Sequence, residues 1–455
     1  MDDTRTATLS LHQSAQGPQL GLEVAWHPDP AFIGSVRSVV AGERLELGRG
    51  SSELGGAFRD PRISRRHAVL GRLGSALSVR DQGSHNGTWV NGERVQSAPL
   101  QIGDVLGLGQ VLLVVRRLPD GPAPRDPEPG IQGHSLPLQE ALKAVDQVAP
   151  TELPVLLIGE SGTGKELLAR RVHERSGRRG EFVAVNCAGV ADTLLQSELF
   201  GHVKGAYSGA ERARRGLVDQ ARGGTLLLDE IGDASLSLQA ALLRLLQEGE
   251  LRPVGADRSV KVDLRFVAAT NRDLAVEVRA GRFREDLYAR LNRLPIHLSP
   301  LRERREDILP LARSLLAPQR LSHPLAQALL LHDWPGNARA VQAVTEQLRL
   351  RLPDESVLPL PEWLPRVLAQ QARAEPEAPS EPTLTAPQPA ALPSGPTLSE
   401  LSPQALESLL REHGANLSAV AKALGVGRNT LYRHIQRLGL DLEALRAELG
   451  DGRRR

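Results

Sequence analysis

The apolar stretch LPVLLI runs directly into Gly159-Glu160-Ser161-Gly162-Thr163-Gly164-Lys165, and that turn opens straight into the helical pattern ELLARRVHER. No other segment constrains the chain as tightly. A buried strand, a glycine-rich turn and a helix that begins at a lysine make a phosphate-binding loop in its required setting. The glycines let backbone N–H groups converge on an anion, the helix N-terminus adds the positive end of its dipole, and Lys165 can neutralise β- and γ-phosphates.

The surrounding residues extend this into an α/β module. The apolar runs VLLIGE, FVAVNCA, TLLLDE and LRFVAATN alternate with amphipathic helical stretches, the pattern of a mostly parallel sheet covered on both faces. One run, Thr225-Leu226-Leu227-Leu228, ends in Asp229-Glu230. This places two carboxylates at the mouth of the sheet, where open α/β folds bind ligands. It resembles a Walker B motif, in which Asp229 would hold magnesium and Glu230 would orient the attacking water.

A chain of 455 residues exceeds one ordinary hydrophobic core and points to several domains. Residues 118–133 and 369–397 are rich in proline and poor in buriable side chains, and read as linkers between three blocks. Residues 20–117 carry short β-rich runs broken by Gly and Asn turns, which predicts a β-sandwich. Residues 134–368 hold the α/β module, and residues 398–446 are short and helical. The single cysteine, Cys187, excludes an internal disulfide framework. No apolar run approaches the roughly 20 residues of a membrane span, and MDDTRTATLS lacks signal-peptide character, so the expected location is cytoplasmic with no membrane contact. Net charge is only +2, so any nucleic-acid contact must come from a local basic surface, for which the C-terminal Arg428, Arg433, His434 and Arg437 are candidates.

Glu166 stands where the generic phosphate loop has Ser or Thr, yet GESGTGKE is the form found in the AAA+ sigma-54-dependent activators. The stretch Glu198 to Ala210, reading ELFGHVKGAYSGA, resembles that family's ELFGHxxGAFTGA. The resemblance implies that Gly205, Ala206, Tyr207, Ser208, Gly209 and Ala210 form the loop that engages sigma-54. Tyr207 replaces Phe and Ser208 replaces Thr, so ring and hydroxyl are retained while contact strength is altered. The resemblance also implies ATP as ligand, bound by Gly159 to Glu166 with Arg339 as sensor-two arginine. It makes Asn271 the sensor at a strand end and Asn186 the residue that restrains Glu230. Arg284 and Arg290 of GRFREDLYARL would reach the nucleotide of a neighbouring subunit, so that hydrolysis requires a homo-oligomeric ring, dimers assembling towards a hexamer. Where the family reads GNxREL this chain reads GNARAV, with Ala340 in place of Glu.

The first block resembles forkhead-associated (FHA) domains through LGR at Leu47–Arg49, Ser64-Arg65-Arg66-His67, Gly83 to Thr88 and Asn91-Gly92. That likeness implies a phosphothreonine-containing partner. Arg49 and Ser64 would take phosphate oxygens, Arg65 and His85 would flank them, Asn86 would hold the peptide backbone, and His67 would brace the loops. The last block resembles a Fis-type helix-turn-helix, with Arg428, Asn429, Thr430, Tyr432 and Arg433 on or near the DNA-facing side of its second helix.

The fold class expected is therefore multidomain: an FHA β-sandwich, an α/β AAA+ ATPase with a helical lid, and an all-α helix-turn-helix. The implied function is ATP-driven remodelling of sigma-54 RNA polymerase at upstream DNA sites, regulated through the FHA domain. The alternatives are a DNA-binding regulator that uses ATP only to oligomerise or represses without sigma-54 contact, and an FHA-scaffolded remodeller of another protein.

Overall fold

The computed structural model describes residues 19–119, 130–189, 191–206 and 212–373, with Leu406, Ser408, Leu410, Arg411 and Val420. It divides into two compact units, residues 1–377 and 378–455. In the second unit the described residues are helical, and Leu406, Leu410 and Val420 are buried.

The first unit begins with a β-sandwich. Its strands are β1 (Leu20–Trp26), β2 (Val36–Val39), β3 (Arg44–Leu47), β4 (Ala68–Leu73), β5 (Ala76–Asp81), β6 (Thr88–Val90), β7 (Glu93–Val95), β8 (Ser97–Leu100), β9 (Val105–Leu108) and β10 (Val111–Arg117). One sheet has the order β2-β1-β10-β9-β6-β7 and the other β3-β4-β5-β8. Strands such as β3 and β5 alternate exposed and buried residues, as expected of a sheet with one wet face.

Strands β1 and β10 behave differently. Leu20, Leu22, Val24, Leu113 and Val115 fill the sandwich interior, while Ala25, Trp26, Leu112 and Val114 on the opposite face are buried against a second cluster. That second cluster belongs to the helical part of the α/β module.

The module opens with α1 (Leu136–Val148), β11 (Val155–Ile158), α2 (Lys165–Arg175), β12 (Phe182–Asn186), α3 (Asp192–Phe200), α4 (Leu217–Gln220), β13 (Thr225–Asp229) and α5 (Leu236–Glu248). There follow β14 (Glu250–Leu251), β15 (Val260–Lys261), β16 (Arg265–Thr270), α6 (Leu274–Arg279), α7 (Glu285–Leu291) and β17 (Pro295–His297). The central sheet is parallel with order β12-β13-β16-β11-β17, and separate apolar clusters cover its two faces. A lid of α8 (Ile308–Leu316), β18 (Arg320–Leu321), α9 (His323–Leu331), α10 (Asn337–Arg351), β19 (Val357–Leu358) and α11 (Leu364–Arg373) packs around buried Trp334, whose indole donates to the Leu329 carbonyl at 2.9 Å.

Sandwich and lid are joined by more than apolar contact. The Trp26 indole donates to the Leu321 carbonyl at 3.0 Å, Arg313 to the Ala25 carbonyl at 2.6 Å and Arg320 to the Pro28 carbonyl at 3.1 Å. The end of the stretch read as a linker takes part as well: Ile131 packs against the core that holds β11 and α1.

Glu306 is buried in this region, 4% exposed, and its Oε2 has no hydrogen-bond partner among the described residues. Burial, then the neighbouring charge of Asp307 and that of Glu23, push its carboxyl up to about 7 against the pull of Arg116 and its own backbone amide. Such a group is neutral in the fold yet charged in the unfolded chain, so stability falls as pH rises from the ordinary carboxyl range through about 7. His134, raised by Glu23 despite burial, works in the same direction: its contribution is complete below the ordinary histidine range and lost as pH rises through its folded value. Glu23 is depressed, so its contribution is lost only at acid pH. The unfolding temperature should therefore drop as pH rises from the ordinary carboxyl range through about 7, and Glu306→Gln should raise it at the upper end of that range and flatten the profile. Parallel melting curves for the two proteins would contradict this.

Candidate active site

Strand β11 delivers the turn 159–164 to the N-terminus of α2. Gly162 and Gly164 have φ of 76° and 107°, left-handed values that glycine adopts without strain. Gly162 has a second reason to lack a side chain, since a Cβ there would lie 2.3 Å from the Gly336 carbonyl oxygen of the lid. The Ala338 amide donates to the Gly162 carbonyl at 3.0 Å, which stitches α10 onto the turn.

Further lid residues hold the same turn. Asn337 is fully buried at φ 50°; its Oδ1 accepts from the Leu301 amide at 2.8 Å, and its Nδ2 donates to the Ser161 carbonyl at 3.0 Å and to Glu160 at 3.2 Å. Glu160 also takes two N–H groups of Arg302 at 2.5 and 2.8 Å, and this pairing holds its carboxyl below the usual range. Its side chain thus secures the loop, leaving the loop's backbone to face an anion. Arg339 reaches the Ser161 hydroxyl at 3.1 Å, and Arg304 donates to the Thr163 carbonyl at 2.9 Å. Sequence reasoning assigned no role to Arg302, Arg304 or the Asn337 side chain. The charged run RERRED was the available signal, but its pairing depends on the lid closing over the loop.

Lys165 is 6% exposed, and its ammonium donates to the carbonyls of Gly159 at 2.9 Å and Glu160 at 3.4 Å and to the Glu230 carboxylate at 3.4 Å. The other oxygen of Glu230 accepts from the Asn271 amide at 3.1 Å. Strands β11, β13 and β16 therefore bring Lys165, Glu230 and Asn271 together. Glu230 adopts φ 50° and ψ 47°, a conformation that costs a non-glycine residue about 1–3 kcal/mol and that clusters at functional positions. Asp229 lies beside it and accepts from the Glu230 amide at 3.1 Å.

Asn186 stands beside Asp229 across the β12–β13 pair and Glu166 follows Lys165 in α2, but the side chains of these and other expected site residues have partners of their own. Asn186 caps its own strand end, accepting from the Ala188 amide at 2.8 Å. Glu166 forms an exposed pair with Arg170 at 2.7 Å. Arg284 and Arg290 flank and occupy α7, where Arg284 is exposed and pairs with Asp286 at 2.7 Å. Cys187 is buried near Asp229, and burial followed by the charges of Asp229, Asp233 and Glu230 pushes its thiol up to about 12, which excludes it as a nucleophile. Among the described residues no group of three or more His, Cys, Asp or Glu could hold a metal by itself. Asp229 suits a magnesium ion that takes one carboxylate from protein and its remaining ligands from phosphate and water.

The loop bearing GAYSGA is rooted where His202 and Arg214 exchange backbone hydrogen bonds at 3.0 Å. The His202 ring is held by the Ser197 hydroxyl at 2.7 Å, and the Val203 amide donates to Val254 at 3.1 Å, so the stem leans on the segment between β14 and β15. Gly205 has φ 82°. Tyr207, Ser208, Gly209 and Ala210 lie outside the described residues, as do Arg428, Asn429, Thr430, Tyr432 and Arg433.

At the sandwich tip the Arg49 amide donates to the Ser64 carbonyl at 2.9 Å, and the Ser64 hydroxyl accepts from the His85 amide at 3.1 Å. Buried His67 accepts from the Ser64 amide and bonds the Gly87 carbonyl, bracing two loops against each other. The Asn86 amide group donates to the Arg62 carbonyl at 2.6 Å. The side chains of Arg49, Arg65, His85 and Asn86 are exposed around Ser64, forming a surface suited to an anion.

Comparison with known proteins agrees with this architecture. A family model for the sigma-54 interaction domain matches residues 131–297, one for the FHA domain residues 45–109, and one for bacterial regulatory proteins of the Fis family residues 397–438. The nitric oxide reductase transcription regulator NorR1 of Cupriavidus necator is 41% identical over 352 residues, covering 70% of this chain and 66% of that protein. The transcriptional regulatory protein ZraR of Klebsiella oxytoca is 42% identical over 337 residues, covering 70% and 72% respectively. Among solved structures, NtrX from Brucella abortus in complex with ATP is 30% identical, with 70% of this chain and 71% of that one covered at a TM-score of 0.47.

The clamp on the loop has a measurable consequence. Asn337→Ala removes three hydrogen bonds in a buried setting and should lower stability by about 2–4 kcal/mol, with weaker ADP binding alongside. Denaturant unfolding and ADP titration of the variant provide the check; unchanged values in both would refute the clamp.

Proposed function

This chain belongs to the sigma-54-dependent transcriptional regulators, with an FHA domain ahead of its AAA+ module and a Fis-type helix-turn-helix behind, and we propose that it is an activator that spends ATP to remodel sigma-54 RNA polymerase. The reading rests above all on the meeting of Lys165 and the Asn271 amide at Glu230, within the same module that carries the GAYSGA loop.

Lys165 neutralises the β- and γ-phosphates, and the turn's amides with the α2 N-terminus bind their oxygens. Asp229 would hold magnesium, which would supply positive charge to offset that of the phosphates. Glu230 exchanges its contact with Lys165 for the attacking water, which it orients and polarises, while the Asn271 amide keeps the carboxylate at the strand end. Arg339 senses the nucleotide from the lid. Arg284 and Arg290 act on the neighbouring protomer's nucleotide, so turnover depends on ring assembly. The stem at His202 and Arg214 converts rearrangement of the module into displacement of Gly205 to Ala210 towards sigma-54.

The FHA surface around Arg49 and Ser64 receives a phosphothreonine of a partner protein. Arg428, Asn429, Thr430, Tyr432 and Arg433 read upstream DNA and hold the activator near its promoter.

Glu230→Gln should retain ATP binding, lose about 100-fold or more in hydrolysis, and fail to support open-complex formation by sigma-54 polymerase. Promoter opening that proceeds equally without hydrolysable ATP would reject the activator reading. Arg49→Ala should weaken a phosphothreonine peptide by about tenfold or more without altering ATP hydrolysis, as titration of phosphorylated and unphosphorylated peptides would reveal. Equal affinity of wild-type protein for both peptides would remove the FHA assignment.

A further inference from the structure

The contact between sandwich and lid contains a line of buried charge that ends on the phosphate-binding turn. Glu23, in β1 on the sheet face turned to the lid, is ion-paired with Arg116 of β10. Its carboxylate also binds His134 Nε2 at 2.7 and 2.9 Å, and Arg116 donates to the His134 carbonyl at 3.0 Å. The His134 and Ser135 amides donate to one oxygen of Asp307 at 2.6 and 2.8 Å, and the Ser135 hydroxyl donates to the other at 2.5 Å. Gly133 permits this approach, because a Cβ there would lie 2.8 Å from the same carboxylate. Asp307 faces Arg304 at 3.7 Å, and Arg304 donates to the Thr163 carbonyl at 2.9 Å. Glu23, Arg116, Arg304 and Asp307 are all buried.

A buried chain of this kind is sensitive at every link, since removing one charge leaves its partner uncompensated in a poorly solvated place. Arg304 Nε already lacks a hydrogen-bond partner among the described residues, so its orientation depends on Asp307 and the Thr163 carbonyl. Neutralising Glu23 would leave Arg116 and His134 to compete for Asp307 and draw it from Arg304.

We propose that Glu23, a residue of the FHA sandwich, is a positioning residue for the nucleotide site, acting through His134, Asp307 and Arg304 on the carbonyl of Thr163. The sandwich is then a structural part of the nucleotide site as well as a receiver of signals. The inference rests on the proposed nucleotide site, but requires neither sigma-54 contact nor phosphothreonine binding.

The test is titration of the full chain with magnesium and ADP in a double-mutant cycle. Glu23→Gln should weaken ADP by about tenfold in the wild-type background and by less than about twofold in an Arg304→Lys background, because the second change has already broken the line. Arg320→Gln, which removes a different bond from the lid to the sandwich, should leave ADP affinity unchanged. If Glu23→Gln does not fold, the half-exposed His134→Asn carries the same pair of expectations. Equal losses in both backgrounds, the same loss in Arg320→Gln, or no loss at all would overturn the proposal. Wild-type protein that does not bind ADP would instead reject the nucleotide site on which it rests, a failure visible before any variant is compared.

Discussion

Lys165 carries a positive charge to a position almost closed to water, and the central module is arranged around keeping that charge satisfied while leaving it able to meet phosphate. Two loop carbonyls and one carboxylate surround the ammonium, and the carboxylate belongs to Glu230, held in a left-handed backbone conformation that its surroundings must enforce. A buried charge without such partners would be strongly destabilising. The need to supply them ties β11 to β13 and, through the Asn271 amide, to the end of β16.

The lid meets the same requirement from the other side. Glycine makes the turn possible but also makes it loose, and its geometry is restored by Asn337, by the Arg302 pair with Glu160 and by the backbone of α10. The consequence is that loop shape and lid position are one variable. A nucleotide that binds between them can move the lid, and anything that fixes the lid acts on the nucleotide. The sandwich is placed to do so, because the outer face of β1 and β10 completes the lid's apolar core.

That two-sided burial was partly legible. The run VLLVV in β10 has no alternation, and an uninterrupted apolar strand is buried on both faces. What covers the second face is not written in the run itself, because apolar side chains pack against any apolar surface. Proline content marks residues 118–133 as unable to form a core of their own, yet Ile131, Gly133 and the adjoining His134 have specific partners. Composition reports what a segment cannot bury alone; it says nothing of what a neighbouring core can absorb.

The sequence by itself determined the modules, their order and the residue types that meet at the central site. Phosphate-binding turn, strand-end carboxylates and FHA loop residues are local motifs, fixed by backbone conformation and by spacings of a few residues. Tertiary structure alone decided which side chains hold those motifs in place. The Glu160 carboxylate meets Arg302 and Asn337, Asn186 caps its own strand, and Glu23 comes within one continuous polar network of Thr163. These pairings join residues 140 or more positions apart in several cases, and no periodicity records them. They arise because charges forced out of water by packing must find partners wherever the folded chain happens to bring them.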